Sequence, residues 1–240
     1  MFRSISTQFV GVFLNNAAGI EVVIESISDT QKTLTFSMVG GTMDLFIFND
    51  PDPQKVIQKY HNLIGKPVLI PDWGLGWHQC KWGYDTLDKL KTVVQNYANN
   101  GIPLDTIWND IDYMQTYRDF TIDPVRFNGL QAWVETDLHA KQDKHYIPIV
   151  DAGVAYRPNA AVPYKFFEDG KTQDIFTKTD DGTQIFIGKV WPNDAAFPDW
   201  SNAKTSAWWQ TGLDNLSFVD GIWLDMNEPS NFCGGYCYDN

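Results

Sequence analysis

An alternation constrains this chain more than any other feature. Short apolar runs end on an acid, and segments with helical spacing follow them. "LDTIWND" stops at Asp110 and Asp112, "HYIPIVDAG" carries Asp151 at its end, and "SFVDGIWLD" ends on Asp225. "PDWGLGWHQC" supplies an earlier strand expectation. Between them, "DTLDKLKTVVQNYANNGIP" sets Leu87, Leu90, Val93, Val94 and Tyr97 at helical spacing. Asp85 or Thr86 can cap that helix, and Gly101 with Pro103 stops it. "NGLQAWVETDLHAKQ" reads as the next helix, and Ala203 to Leu216 as another. Strands alternating with amphipathic helices predict a parallel sheet, either doubly wound or a (β/α) barrel. No Gly-x-Gly-x-x-Gly or P-loop pattern follows a strand, which removes the nucleotide-binding mark of the doubly wound class. Taken singly, each terminal acid could merely cap the loop that follows it. Their recurrence at equivalent points favours the barrel, whose C-terminal strand ends converge on one face and carry the chemistry.

The first fifty residues have a different rhythm. "QFVGVFLNN", "IEVVIES", "KTLTFSMVG" and "MDLFIFND" are short strand candidates separated by turns, which suggests antiparallel sheet. "NDPDPQ" breaks that pattern with the composition of a domain boundary. Between Val154 and Trp200 runs a long polar and aromatic stretch without helical periodicity, too long for an ordinary barrel connection. Its Trp and Phe content suits an ordered element rather than a linker.

Bulk properties exclude several function classes. A formal charge of −12 repels nucleic acid and anionic membrane surfaces, so neither is expected as a partner. No run of about 18 apolar residues offers a membrane span. Cys80, Cys233 and Cys237 are too few for a disulfide scaffold, although Cys233 and Cys237 can pair locally in an oxidising compartment. His78 and Cys80 form the only suggestive metal-ligand pair and fall short of a tetrahedral set, so no metal or cofactor is expected.

A carboxylate held rigidly at a strand end can attack a sugar's anomeric carbon, with a second carboxyl about 5 Å away protonating the leaving oxygen. Asp225 fits that description, with Trp223 beside it to pack on a sugar face and Glu228 three residues on. The residues alone leave open which acid attacks. "WLDMNEPSNF" resembles the signature of glycoside hydrolase family 31, the α-glucosidases. "LGWHQCKWGYDTLDKLKTVV", "WNDIDYMQTYRDFTIDPVRF", "IPIVDAGV" and "IGKVWPNDAAFPDW" resemble further family segments in the right order, and "GVFLNN" and "DLFIFND" resemble its N-terminal sandwich.

The resemblance implies an α/β fold: a partial (β/α)8 TIM barrel of four strands, preceded by part of an antiparallel β-sandwich. Residues 1–50 would close the sandwich, and 51–240 would form the first half of the catalytic barrel, with a subdomain inserted at 154–200. It implies a retaining exo-α-glucosidase acting on substrates of the maltose, starch or glycogen type. Asp225 would be the nucleophile and Glu228 the acid sharing its signature. Asp110 would bind sugar hydroxyls with Ile111 alongside, and Ile149 and Asp151 would line the pocket floor. Trp191, Trp223 and Met226 would form apolar walls, and Trp82 would stand near the entrance. A carbohydrate-binding relative without turnover, an α-xylosidase, a transglycosylase and an α-glucan lyase are alternatives on the same scaffold. The family's acid/base, with its Arg and His partners, lies beyond Asn240. The chain is therefore expected to be a fragment with little hydrolysis of its own, and Met1 is not expected to be the native start. Lysosomal or secreted location is the expectation for the whole protein, and the sequon at Asn215-Leu216-Ser217 agrees with that route.

Overall fold

The computed structural model describes residues 2–5, 8–157, 163–228 and 230–237, with backbone alone for the first four. Met1, and Pro229 of the signature loop, lie outside the described residues. The chain divides into two compact units, Met1–Leu69 and Ile70–Asn240.

The first unit contains strands β1 (Phe2–Ile5), β2 (Gln8–Asn15), β3 (Ile20–Ser26), β4 (Lys32–Met38) and β5 (Asp44–Asp50). All pairings are antiparallel, in two separate sheets: β1-β2-β5, and the hairpin β3-β4. The "NNAAG" turn thus leads from one sheet to the other. Asn16 anchors it, its Nδ2 donating to the carbonyls of Gly40 and Thr42 at 3.1 and 2.8 Å. The proline-rich "NDPDPQ" starts helix α1 (Pro53–Ile64). Asp52 caps it by accepting the Gln54 N–H at 2.9 Å, and Pro53 occupies the first turn, where its missing N–H costs nothing. Val56 is fully buried, and Tyr60 packs edge-on to Phe13 at 5.2 Å, so α1 is fastened to β2. Chain-break composition and helix-start composition coincide here, and the unit boundary follows the helix.

In the second unit, β6 (His78–Gln79), β7 (Thr106–Asn109), β8 (His145–Asp151) and β12 (Trp223–Asp225) form a four-stranded parallel sheet in the order β12-β8-β7-β6. The first strand is far shorter than "PDWGLGWHQC" suggests. Asp72–Leu75 forms a 3-10 turn, and Trp77 then donates its N–H to Asp105 Oδ2 at 2.7 Å. A Cβ on Gly76 would stand 2.3 Å from that same carboxylate, so glycine is required there. β12 shrinks similarly to the three residues that face β8.

Helix α2 (Leu87–Asn99) follows β6, capped by Thr86, whose Oγ1 accepts the Lys89 N–H at 3.2 Å; Leu90 and Val94 are buried. The helix after β7 is continuous from Leu130 to Gln142 but not uniform. It comprises α3 (Leu130–Trp133), a π-helical segment (Val134–His139) and α4 (Ala140–Gln142). Thr136 Oγ1 donates back to the Ala132 carbonyl at 2.7 Å, a bond that competes with the ladder where the extra residue enters.

The excursion after β8 contains β9 (Val154–Ala155), α5 (Lys165–Gln173), β10 (Ile187–Val190) and β11 (Asn193–Ala196), with residues 158–162 outside the described set. Its strands form an antiparallel sheet, β10-β11-β9, over a core of Val154, Tyr164, Phe167, Ile175, Phe176 and Trp208. Helix α6 (Thr205–Leu213) then leads back through a 3-10 turn to β12. Within the parallel sheet, Ile107, Tyr146 and Val150 join the main core with Leu90, Val94 and Leu130. Register partners share a face, so Trp108 with Ile147, Ile149 with Trp223, and Asp151 with Asp225 lie on the other face of the strands, where Ile149 is still part of the main core and Trp223 packs against it.

Candidate functional site

The strand register assembles the acids. Asp225 is the direct partner of Asp151, one residue after the Leu224–Val150 pair, so both acids end neighbouring parallel strands at one level. Asp110 follows Asn109, the last residue of β7, whose partner on β8 is Pro148. The C-terminal ends of three adjacent strands therefore present three carboxylates on one face.

Their electrostatics show the crowding. Asp151 is 4% exposed; burial, then the charges of Asp225 and Asp110, push its carboxyl from 3.8 up to about 7. Burial also pushes Asp110 up, assisted by Asp112 and Asp225 and opposed by the Ile111 N–H. Asp110 Oδ1 accepts that N–H at 2.7 Å and caps the 3-10 turn Ile111–Tyr113. Asp225, at the exposed end of β12, accepts the Met226 N–H at 2.9 Å. Met226 turns the chain there with φ of 59°, a left-handed value that few non-glycine residues adopt. Capping does not use up these acids: in Asp110 and Asp225 one oxygen serves the backbone, while Asp151 Oδ1 is buried with no hydrogen-bond partner.

Glu228 stands apart. It is exposed, and Ser230 Oγ donates to its Oε2 at 2.5 Å, which lowers its carboxyl below the ordinary range. Ile111 and Ile149 are 3% and 1% exposed and belong to the main core, so they back the acids from beneath. Trp223 is half-buried, its ring 5.7 Å from Trp108. Met226 packs on the small cluster of Val190, Ala195 and Phe197. Trp191 and Trp82 are exposed, with ring centroids 6.4 Å apart, and Phe232 meets Trp191 edge-on at 5.0 Å.

Several residues that matter to this arrangement carry no local signal. Asp112, 6% exposed, uses Oδ2 to accept the Gly83 N–H at 2.8 Å, tying the loop that bears Trp82 to the end of β7. Trp108 donates Nε1–H to His78 Nδ1 at 2.9 Å, while His78 Nε2 faces the Trp73 carbonyl at 3.1 Å. Both ring nitrogens of His78 are therefore engaged, and the ring carries its proton on Nε2. Burial, then Asp110 and Asp112, raise the Cys80 thiol to about 11, so it is a poor nucleophile at neutral pH. Cys233 and Cys237 form a disulfide. Among the described residues, no group of three or more His, Cys, Asp or Glu is arranged to hold a metal ion. Asn215 of the sequon is exposed.

Comparison with known proteins follows the same lines. Residues 67–240 match the model of the glycosyl hydrolases family 31 TIM-barrel domain. The chain is 44% identical over 223 residues to glucoamylase 1 of Candida albicans, covering 89% of this chain and 23% of that protein. It is 39% identical to the lysosomal alpha-glucosidase of Bos taurus over 236 residues, covering 96% and 24%. Among solved structures, a glucosidase II alpha subunit superposes with a TM-score of 0.83 at 30% identity, over 96% of this chain and 26% of that one. A family 31 alpha-glucosidase from Bacteroides thetaiotaomicron gives 0.77 at 33% identity, over 96% and 37%. The chain spans about a quarter of the length of the curated relatives it matches. With the parallel half-barrel sheet and the acids at its strand ends already in place, these matches show that the chain belongs to glycosyl hydrolase family 31.

Proposed function

We propose that this chain carries the nucleophile side of the active site of a retaining exo-α-glucosidase that cleaves α-glucosides of the maltose, starch or glycogen type. The observation that carries the proposal is the register pairing of Asp225 with Asp151, with Asp110 at the end of the next strand. In this reading Asp225 attacks the anomeric carbon with the oxygen not bound to the Met226 N–H, forming a covalent glycosyl ester. Asp110 and Asp151, both raised above the ordinary carboxylate range, hold sugar hydroxyls as donors or acceptors according to their protonation. The negative cluster also stabilises the oxocarbenium-like charge that develops at the anomeric centre. Trp223 and Met226 would form apolar walls beside that centre. Trp82 and Trp191 would face the leaving-group side. Ile111 and Ile149 would set the shape of the floor, and Glu228 would keep the signature loop in place through Ser230.

The domain assignment follows from the same reading. The two antiparallel sheets of the first unit are the end of an N-terminal sandwich, and the excursion after β8 is an inserted subdomain beside the strand ends. In this reading the acid/base comes from outside these residues, and general acid help is worth about 10²–10⁴-fold.

The test is covalent labelling. An activated fluoro-glucoside loses fluoride without needing protonation, so trapping isolates the nucleophilic step. The longest polypeptide carrying this sequence is incubated with the reagent, digested, and mapped by mass spectrometry. A glucosyl adduct on the peptide bearing Asp225, absent in Asp225→Asn, is the expected result. An adduct on another acid, or none while the protein hydrolyses an aryl α-glucoside, overturns the assignment.

A further inference from the structure

Asp119 is 1% exposed and takes no part in the chemistry proposed above. It lies in the loop after β7, yet its Oδ1 accepts the N–H of Asp151 at 3.2 Å. Its Oδ2 is buried without a hydrogen-bond partner. A buried carboxyl with one oxygen unanswered is costly, and nothing about chain packing requires one here.

The segment that delivers Asp119 is bent at further cost. Thr116, Tyr117 and Phe120 have φ of 54°, 59° and 59°, three left-handed residues within five, none of them glycine. The loop is held in that shape from several sides. Tyr164 OH donates to the Asp119 carbonyl at 2.8 Å, and Thr121 Oγ1 donates to the Arg118 carbonyl at 2.6 Å. The Phe120 ring is wedged between Phe166 at 4.6 Å and Trp209 at 4.9 Å, both at steep angles. Earlier in the same loop, Tyr113 OH donates to the Ile149 carbonyl at 2.8 Å. One strained loop thus grips β8 at Ile149 and Asp151, the two residues that end beneath the sugar pocket.

We infer that Asp119 is a positioning residue: by holding the Asp151 amide from below, it fixes the height and direction in which β8 presents the Asp151 carboxyl to a bound sugar. This rests on the glucoside reading above. The groups facing Asp119 are Asp151 on β8, Tyr113 on its own loop and Tyr164 from the excursion, and the neighbouring Arg118 guanidinium lies over the Tyr164 ring. Burial, then the Asp151 charge, push Asp119 well above the ordinary carboxylate range, a direction that favours its neutral form as the acceptor. A neutral acceptor of the same shape should replace it.

Three variants test this in the longest polypeptide that carries the chain and hydrolyses an aryl α-glucoside. Asp119→Ala removes the acceptor and is expected to lower kcat/KM roughly 10- to 100-fold, the scale of a misplaced binding group. Asp119→Asn keeps acceptor and neutrality and is expected to stay within about threefold of the parent, with a superimposable pH–rate profile. Asp151→Asn serves as the control for the pocket itself. An Asp119→Ala protein with parental kcat/KM beside an impaired Asp151→Asn overturns the inference. So does an Asp119→Asn protein that is as impaired as the alanine variant, or whose pH profile is displaced, because that would make the charge on Asp119 the acting feature. An unimpaired Asp151→Asn instead sinks the sugar-pocket reading. Should Asp119→Ala fail to fold, the rate and pH profile of Asp119→Asn decide alone.

Discussion

Asp151 makes the protein pay in stability for its site, and replacing it should give that stability back. In the unfolded chain this carboxyl loses its proton near the ordinary 3.8, whereas in the fold it holds it to about 7. Between those values the native state binds more protons, so stability falls as pH rises from about 4 to 7 and stays low above that window. A displacement of roughly three pH units, at about 1.4 kcal/mol each, sets a ceiling of about 4 kcal/mol. Asp225 and Asp110 remain when Asp151 is changed, and local relaxation softens the burial cost, so we expect about half of that ceiling, near 2 kcal/mol. Asp151→Asn cannot ionise and should escape the loss. All ten tryptophans lie between Trp73 and Trp223, inside the second unit, so Trp fluorescence during urea unfolding reports that unit alone. The midpoints of parent and variant should coincide near pH 4 and separate progressively, reaching about 1 M urea in favour of the variant at pH 8. A separation independent of pH, or a variant that is less stable at pH 8, would refute the account of Asp151.

Three further outcomes are expected. In α6, a Cβ at Gly212 would stand 2.4 to 2.7 Å from Phe120 ring atoms, so Gly212→Ala should cost about 1–3 kcal/mol in the same urea assay; a neutral substitution would show the contact to be slack. Burial pushes the Asp220 carboxyl up, but hydrogen bonds from His145, the Tyr146 N–H and His139 outweigh it and leave it below the ordinary range. Its contribution is therefore complete above about pH 4 and lost as pH falls through its folded value, so the stability gap between parent and Asp220→Asn should be constant from pH 5 to 6 and close below pH 4. Trp82 is 63% exposed, so Trp82→Ala should leave the urea midpoint unchanged while raising KM for a maltose-type substrate roughly 3- to 10-fold; a lowered kcat with unchanged KM would remove it from the entrance.

What the sequence made legible was local. The apolar spacing of Leu87, Leu90 and Val94 found α2, and the acids at run ends found three strand termini, because each signal lies within a few residues. Helix α1 stayed hidden because Asp52 and Pro53 read equally as a break and as a helix start. The "NNAAG" turn gave no hint that β2 pairs with β5, since the choice of partner depends on residues about thirty to forty positions away. The same holds within the site. Asp110, Asp151 and Asp225 stand out by position, but Asp119 is 32 residues from the amide it holds and sits in a loop with no periodicity. Asp112 and Asp110 look alike in "NDIDY", and only the structure separates the one that clasps Gly83 from the one that caps the 3-10 turn.

The grip of Tyr164 on the Asp119 carbonyl, and of Phe166 on Phe120, has a mechanical consequence for the excursion after β8. That segment is tied to the loop that holds the Asp151 amide, so a displacement of it reaches Asp151 through two residues. Drift in its sequence can therefore shift Asp151 without altering any residue at the strand ends.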